Sequence, residues 1–199
     1  MPSLSGDELQ ELSERQDPRL LRALDVVAPG GALREGIDNI VHSRTGGLLV
    51  VGDLDDISHL LSGGIKLDVE YTPAMLYQVA KMDGAIVLNG EATKIAWANV
   101  QLMPDPTILS SETGTRHRTA ERVSKQTTAL VVAISQRRDV VSLYVEGTKY
   151  ILQDIPAVLA KANQGLATLE KYRQRLDQVS ARLTQLEFDG GVVLHDALS

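Results

Sequence analysis

Residues 110–135 read SSETGTRHRTAERVSKQTTALVVAIS, and the order of elements inside that stretch decides the fold class. Ala120, Glu121, Arg122, Val123, Lys125 and Gln126 suit a helix, and Gly114 closes the loop before it. ALVVAIS at 129–135 is short and apolar throughout, the pattern of a buried strand. The helix start is electrostatically odd. Its first turn exposes unpaired N–H groups and carries partial positive charge, yet Arg116, His117 and Arg118 stand there. A phosphate between the amides and these side chains would satisfy both at once. On this reading, removing Arg118 leaves the ligand-free protein equally stable or slightly more so.

The same alternation extends outward. Upstream, residues 7–28 read as helix broken at Pro18, APGG at 28–31 as loop, and 32–44 as amphipathic helix. GLLVVGD (47–53) is a buried strand, DDISHLLSG a short helix ending at Gly63, and IKLDV (65–69) an alternating strand. Thr72 as N-cap and Pro73 at the first helical position open a helix over 72–82. AIVLN (85–89) and KIAWANVQL (94–102) are strands. Downstream, 140–147 and 149–152 bracket Glu146-Gly147, a hairpin signal. The fold class is α/β, a mixed β-sheet flanked by helices. From Ile155 the pattern changes to one long amphipathic helix, 155–187, with Ala162, Leu166, Leu169, Tyr172, Leu176, Val179, Leu183 and Leu186 spaced by threes and fours and Gly165 as its weak point. The expected division is a nucleotide-binding domain over 1–152 and a helical linker or oligomerisation segment over 153–199.

Composition sets the outer limits. With 199 residues there is length for a sizeable core, and no apolar run approaches the roughly 20 residues of a membrane span. The start, MPSLSGDELQELSER, lacks the pattern of a signal peptide, and there is no cysteine for disulfides or thiolate chemistry, so a cytoplasmic location is expected. A net charge of −6 argues against a surface coated for nucleic acid. It does not argue against a small anion, because a phosphate about 4 Å from a guanidinium feels roughly 4 kcal/mol at an effective dielectric of 20, while distant charges are screened. Between 115 and 125, Arg116, Arg118, Arg122 and Lys125 face Glu121 alone.

No Walker loop, dinucleotide fingerprint, zincin helix, EF-hand loop or nucleophile elbow occurs. The motif KMDGAIVLN puts Asp83 and Gly84 before a strand. Asp-Gly is ordinarily a turn, but a carboxylate at a strand end suits a Mg²⁺ or Mn²⁺ held jointly with substrate phosphates. In TGTRHRT, surface pairing of the arginines with Glu112 and Glu121 competes with the phosphate reading, which Thr115 and Thr119 support as hydroxyl donors. His117 lies between two arginines, which disfavours its protonated form unless a phosphate reverses the field. Ser135 ends a strand, where α/β sheets tend to bind ligands, and Trp97 reads as core.

MDGAIVLN followed by ETGTRHRTAERVSKQ resembles the DGA and RHR motifs of diadenylate cyclase domains. With TGGLLVVGD, QLMPDP and the helix after 155, the chain is similar to the N-terminal part of the DNA integrity scanning diadenylate cyclases over about 18–190. The resemblance implies condensation of two ATP into cyclic di-AMP and two pyrophosphates, with active sites between facing protomers of a homo-oligomer, an octamer by the same resemblance. It implies that Asp83 binds the metal or activates the 3′-hydroxyl, Gly84 admits the nucleotide, and Leu102 lies at the adenine. Thr115, Arg116, His117, Arg118 and Thr119 would hold the triphosphate, and Ser135 would approach it. The catalytic set is thus Asp83, Arg116, His117 and Arg118, with Mg²⁺ or Mn²⁺ on Asp83. Gln136, Arg137 and Arg138 replace the family's acidic pair. The family's DNA-binding region has no counterpart, so a truncated form or a relative lacking it is expected, with DNA a partner only through that region and no membrane partner. The alternatives are a sensor that binds ATP or cyclic di-AMP without making it, and an oligomerisation piece.

Overall fold

In the computed structural model, which describes residues 18–136 and 140–188, alternate side chains of each apolar run enter two different cores. The chain runs α1 (Pro18–Val26), α2 (Ala32–Ser43), β1 (Gly47–Val51), α3 (Leu54–Ile57), a 3₁₀ turn (Ser58–Leu60), β2 (Leu61–Ser62), β3 (Ile65–Glu70), α4 (Pro73–Val79), β4 (Ala85–Leu88), β5 (Lys94–Leu102), α5 (Thr115–Gln126), β6 (Leu130–Ile134), β7 (Val141–Val145), β8 (Thr148–Leu152) and α6 (Ile155–Phe188). The strands order as β2-β5-β4-β1-β6-β7-β8, with β3 also paired to β5. Only β1 and β4 pair in parallel among the described strands.

Leu49, Val51, Ile86 and Leu88 join Leu33, Ile37, Ile40 and Leu76 of α2 and α4 on one face. Leu48, Val50, Ala85 and Val87 join Ala120 and Val123 of α5 on the other. Helices on both faces explain why β1, β4 and β6 are apolar at every position. Local signals act as expected at α4, where the Thr72 side chain accepts from the Met75 N–H and Pro73 opens the first turn. They act equally at the β7–β8 hairpin, where Glu146 and Gly147 both have positive φ, 48° and 81°.

The expected helix running to Gly63 stops at Leu60, and Leu61 and Ser62 pair with Leu102 and Gln101 at the end of β5. A strand of two residues is defined by its partner, which no local pattern announces. The part of the expected first helix before Pro18 lies outside the described residues. The chain divides into two compact units, 1–152 and 153–199. In the second, α6 is one continuous helix of 34 residues. Leu159, Leu166, Leu169, Tyr172 and Leu176 remain exposed on it.

Candidate functional site

The parallel pairing of β1 with β4 puts the residues before both strands at one edge of the sheet. Antiparallel β5 and β6 end at that same edge, since Val100 faces Ala85 and Ile134 faces Gly47. Asp83, Gly84, Leu102 and Ser135, far apart in sequence, therefore gather there. A cleft of about 220 Å³ opens at the edge, lined among others by Asp83, Gly84, Arg116, Arg44, Thr45 and Lys81. Among the described residues, three cations stand against one carboxylate in it, a balance suited to a polyanion. Sequence reading missed Arg44, Thr45, Gly46 and Lys81, because only the parallel crossover brings 44–48 beside 80–84.

Two glycines shape the cleft. At Gly84, φ is +89° and a Cβ would stand 2.8 Å from the Val100 carbonyl oxygen. The backbone of β5 thus demands glycine beside Asp83, before any ligand is considered. At Gly46, φ is +70° and a Cβ would lie 2.8 Å from Arg116 Nη1. That nitrogen donates to the Ile134 carbonyl at 3.2 Å, so Arg116 is held at the end of β6. Asp83 is exposed, and no bond to another described residue restrains its carboxylate. Among the described residues no group of three or more His, Asp or Glu side chains could enclose a metal by itself.

α5 begins at Thr115 after Gly114, with no side-chain cap and no acid in its first turn. Its first main-chain bond runs from the Arg118 N–H to the Gly114 carbonyl. The N–H groups of Thr115, Arg116 and His117 thus have no acceptor inside the helix. Thr115 is exposed and Thr119 half-buried on this turn.

The cations have another source of stabilisation, which corrects the expectation that only an anion makes them tolerable. Arg118 donates to the Glu112 and Thr113 carbonyls at 3.3 and 3.4 Å, Arg122 to the Ile108 carbonyl at 2.8 Å, and Lys125 to the Leu109 carbonyl at 2.8 Å. Glu121 accepts from Ser110 Oγ and the Ser111 N–H, and Gln126 from the Asp105 N–H. One face of α5 thereby grips the 105–113 loop by its main chain. The rival pairing of the arginines with Glu112 and Glu121 does not occur. Glu121 pairs with Lys125 at 2.6 Å, and Glu112 with Lys149 at 2.7 Å.

His117 belongs to a chain of polar contacts behind the helix start. Its Nδ1 lies 3.0 Å from the Tyr144 hydroxyl, which donates to Glu112 Oε1 at 2.9 Å. Burial alone would raise the Glu112 carboxyl, but hydrogen bonds from Lys149 and Tyr144, with the nearby charges of Lys149 and His117, hold it below the usual carboxylate range. Tyr144 is fully buried, and burial first, then its bond to the Glu112 carboxylate, pushes the phenol well above its ordinary value.

Leu102 is buried and packs with the α5-side core at the end of β5. Ser135, half-buried, closes β6 with its N–H on the Val140 carbonyl at 2.9 Å. Gln136 lines the cleft, while Arg137 and Arg138 lie outside the described residues. The cleft therefore unites Asp83, Gly84 and Arg116, and the other expected residues do not line it.

The family model described as DAC, DisA bacterial checkpoint controller nucleotide-binding, matches residues 34–149. That of the DisA bacterial checkpoint controller linker region matches 152–199. The DNA integrity scanning protein DisA of Carboxydothermus hydrogenoformans is 56% identical over 181 residues, 91% of this chain and 51% of the relative. Its counterpart in Clostridium tetani is 49% identical over 185 residues, 93% of this chain and 51% of the relative. The chain thus spans about half the length of these curated relatives. Among solved structures, a double mutant of DacA from Staphylococcus aureus is similar with TM-score 0.51 and 26% identity, over 62% of this chain and 85% of that one. A hypothetical membrane spanning protein from Bacillus cereus shares the fold, with TM-score 0.57 and 23% identity over 74% of this chain and 77% of that one. No described helix of the present chain is long and apolar enough to cross a membrane.

Proposed function

We propose that this chain, which belongs to the DisA family, is a diadenylate cyclase that joins two ATP into cyclic di-AMP and releases two pyrophosphates. The observation that carries the reading is the cleft itself, where Asp83 shares one small volume with Arg116, Arg44 and Lys81 beside the uncapped start of α5. Triphosphate oxygens find there the three donor types they need: guanidinium forks, an ammonium and helix-end amides. Arg116, already seated on Ile134, receives the phosphates without reorganising. Arg118, His117, Thr115 and Thr119 extend the site along the first two turns of α5.

A carboxylate is a weak base for an alcohol, so Asp83 acts by orienting the 3′-hydroxyl and holding a divalent ion. Asp83, the one carboxylate among the described lining residues, suits Mg²⁺ or Mn²⁺, which take their remaining ligands from phosphates and water. A divalent ion held by Asp83 would supply charge neutralisation to the phosphates. An open cleft holding one ATP needs a second ATP opposite it, so two protomers face each other in a homo-oligomer in the cytoplasm. The octamer remains our proposal for its size, and DNA would be met only through the family's C-terminal DNA-binding region.

The test is incubation of the chain with ATP and Mg²⁺ or Mn²⁺, followed by chromatography for cyclic di-AMP, with Asp83→Asn as control. Product from the parent chain and none from the variant is expected. ATP binding without any cyclic product from the parent chain would establish a sensor instead.

A further inference from the structure

We propose that Asn99 is a positioning residue for Asp83, acting through a left-handed bulge in β5 that sets its main chain against Gly84. The inference rests on the functional reading above and goes deeper into the same site.

The bulge is written in the register of the sheet. Ala85 faces Val100 and Val87 faces Trp97, so three steps along β5 lie opposite two along β4. Side-chain direction shows the same extra residue. Trp97 packs with the α5-side core and Ala98 with the opposite one, as alternation requires. Strict alternation would then send Val100 to the Ala98 side, yet Val100 and Leu102 both join the α5-side core. The step falls at Asn99, whose φ is +52°. Asparagine is one of the few residues with a side chain that visit this region readily. Among the described non-glycine residues with positive φ, Asn99 alone lies in a strand paired on both sides.

The bulge bears directly on the residue after Asp83. A Cβ on Gly84 would stand 2.9 Å from the Asn99 carbonyl carbon, 3.0 Å from the Val100 nitrogen and 2.8 Å from the Val100 oxygen. The peptide that follows Asn99 therefore lies against Gly84, whose own φ is +89°. Two left-handed residues on neighbouring strands interlock there, next to the carboxylate of the cleft. No bond to another described residue restrains Asp83, so its place is inherited from this main-chain contact. The Asn99 side chain is exposed, bonded to no described residue and absent from the cleft lining. The site uses its backbone conformation and not its amide.

The experiment compares Asn99→Gly, which keeps the left-handed backbone without strain, with Asn99→Val, whose branched side chain opposes it. The glycine variant should keep kcat within about twofold of the parent chain. The valine variant should lose about tenfold in kcat while KM for ATP stays within about twofold, because the cations of the cleft are untouched. Crystal structures should show residues 83–84 displaced relative to Arg116 in the valine variant and in place in the glycine variant. A folded valine variant with unchanged kcat, or with residues 83–84 in place, overturns the proposal. A glycine variant as impaired as the valine one overturns it too, since the role would then belong to the amide. Should the valine variant not fold, Asn99→Ala takes its place, with a loss of about threefold in kcat expected and no loss overturning the proposal. If the parent chain makes no cyclic di-AMP, the functional reading fails while the crystal structures still test the bulge.

Discussion

Arg116 and Gly46 share one volume: a Cβ on residue 46 would stand 2.8 Å from the Arg116 Nη1 that donates to Ile134. Gly46→Ala should displace the guanidinium and weaken ATP affinity by about tenfold, with left-handed strain costing roughly 1 kcal/mol of stability. Gly63 provides the control. It has a similar φ, +65°, and a Cβ added there would meet nothing within 4 Å, so Gly63→Ala should show the stability cost alone. Calorimetric titration with a non-reactive ATP analogue and thermal melts separate the two, and equal ATP affinity in both variants would refute the steric argument.

Arg118→Ala removes two long hydrogen bonds to the loop at 3.3 and 3.4 Å. Relief at the helix dipole opposes that loss, and the side chain is exposed. A net loss of about 0.5–1 kcal/mol in ligand-free stability is expected, together with lower ATP affinity. Urea unfolding without nucleotide measures it. A more stable variant would show that the loop contacts contribute nothing.

Acid should loosen the grip on the loop. Burial raises the Glu121 carboxyl, but hydrogen bonds from Lys125, Ser110 and the Ser111 N–H outweigh it and bring the net value below the ordinary 4.5. Glu112 is depressed in the same sense. Both carboxylates bind their proton less tightly folded than unfolded. Their contribution is therefore complete above the unfolded value and drains away as pH falls through the lower folded one. Urea midpoints at pH 7 and pH 4 should differ less in Glu121→Gln than in the parent chain; an equal difference in the two would count against this assignment.

Gly165 sits inside α6 with open space around it. Gly165→Ala should stabilise that helix by about 0.5–1 kcal/mol. A rise in the melting of the helical circular dichroism signal, with ATP affinity unchanged, is the expected readout.

What the sequence disclosed was whatever is decided locally or by periodicity. Thr72-Pro73 starts α4, Glu146-Gly147 turns the last hairpin, and α6 follows its spacing of threes and fours. Asp83 and Arg116 stood out because a carboxylate and a cation occupied places where the backbone disfavours or exploits charge. The rest was hidden by distance. Leu61 and Ser62 are a strand only because Gln101 and Leu102 lie alongside. Arg44 and Lys81 enter the cleft only through the β1–β4 pairing. Loop carbonyls gripped by Arg118, Arg122 and Lys125 carry no residue identity, so no motif could reveal them.

That anonymity has an evolutionary side. A fastening made to main-chain oxygens at Ile108, Leu109, Glu112 and Thr113 survives most side-chain replacements there. Leu109, 87% exposed, can thus be exchanged for other chemistries while the neighbouring α5 keeps its seat. The segment is a place where descendants of this protein can acquire new surface properties at little risk to the cleft beside Arg116.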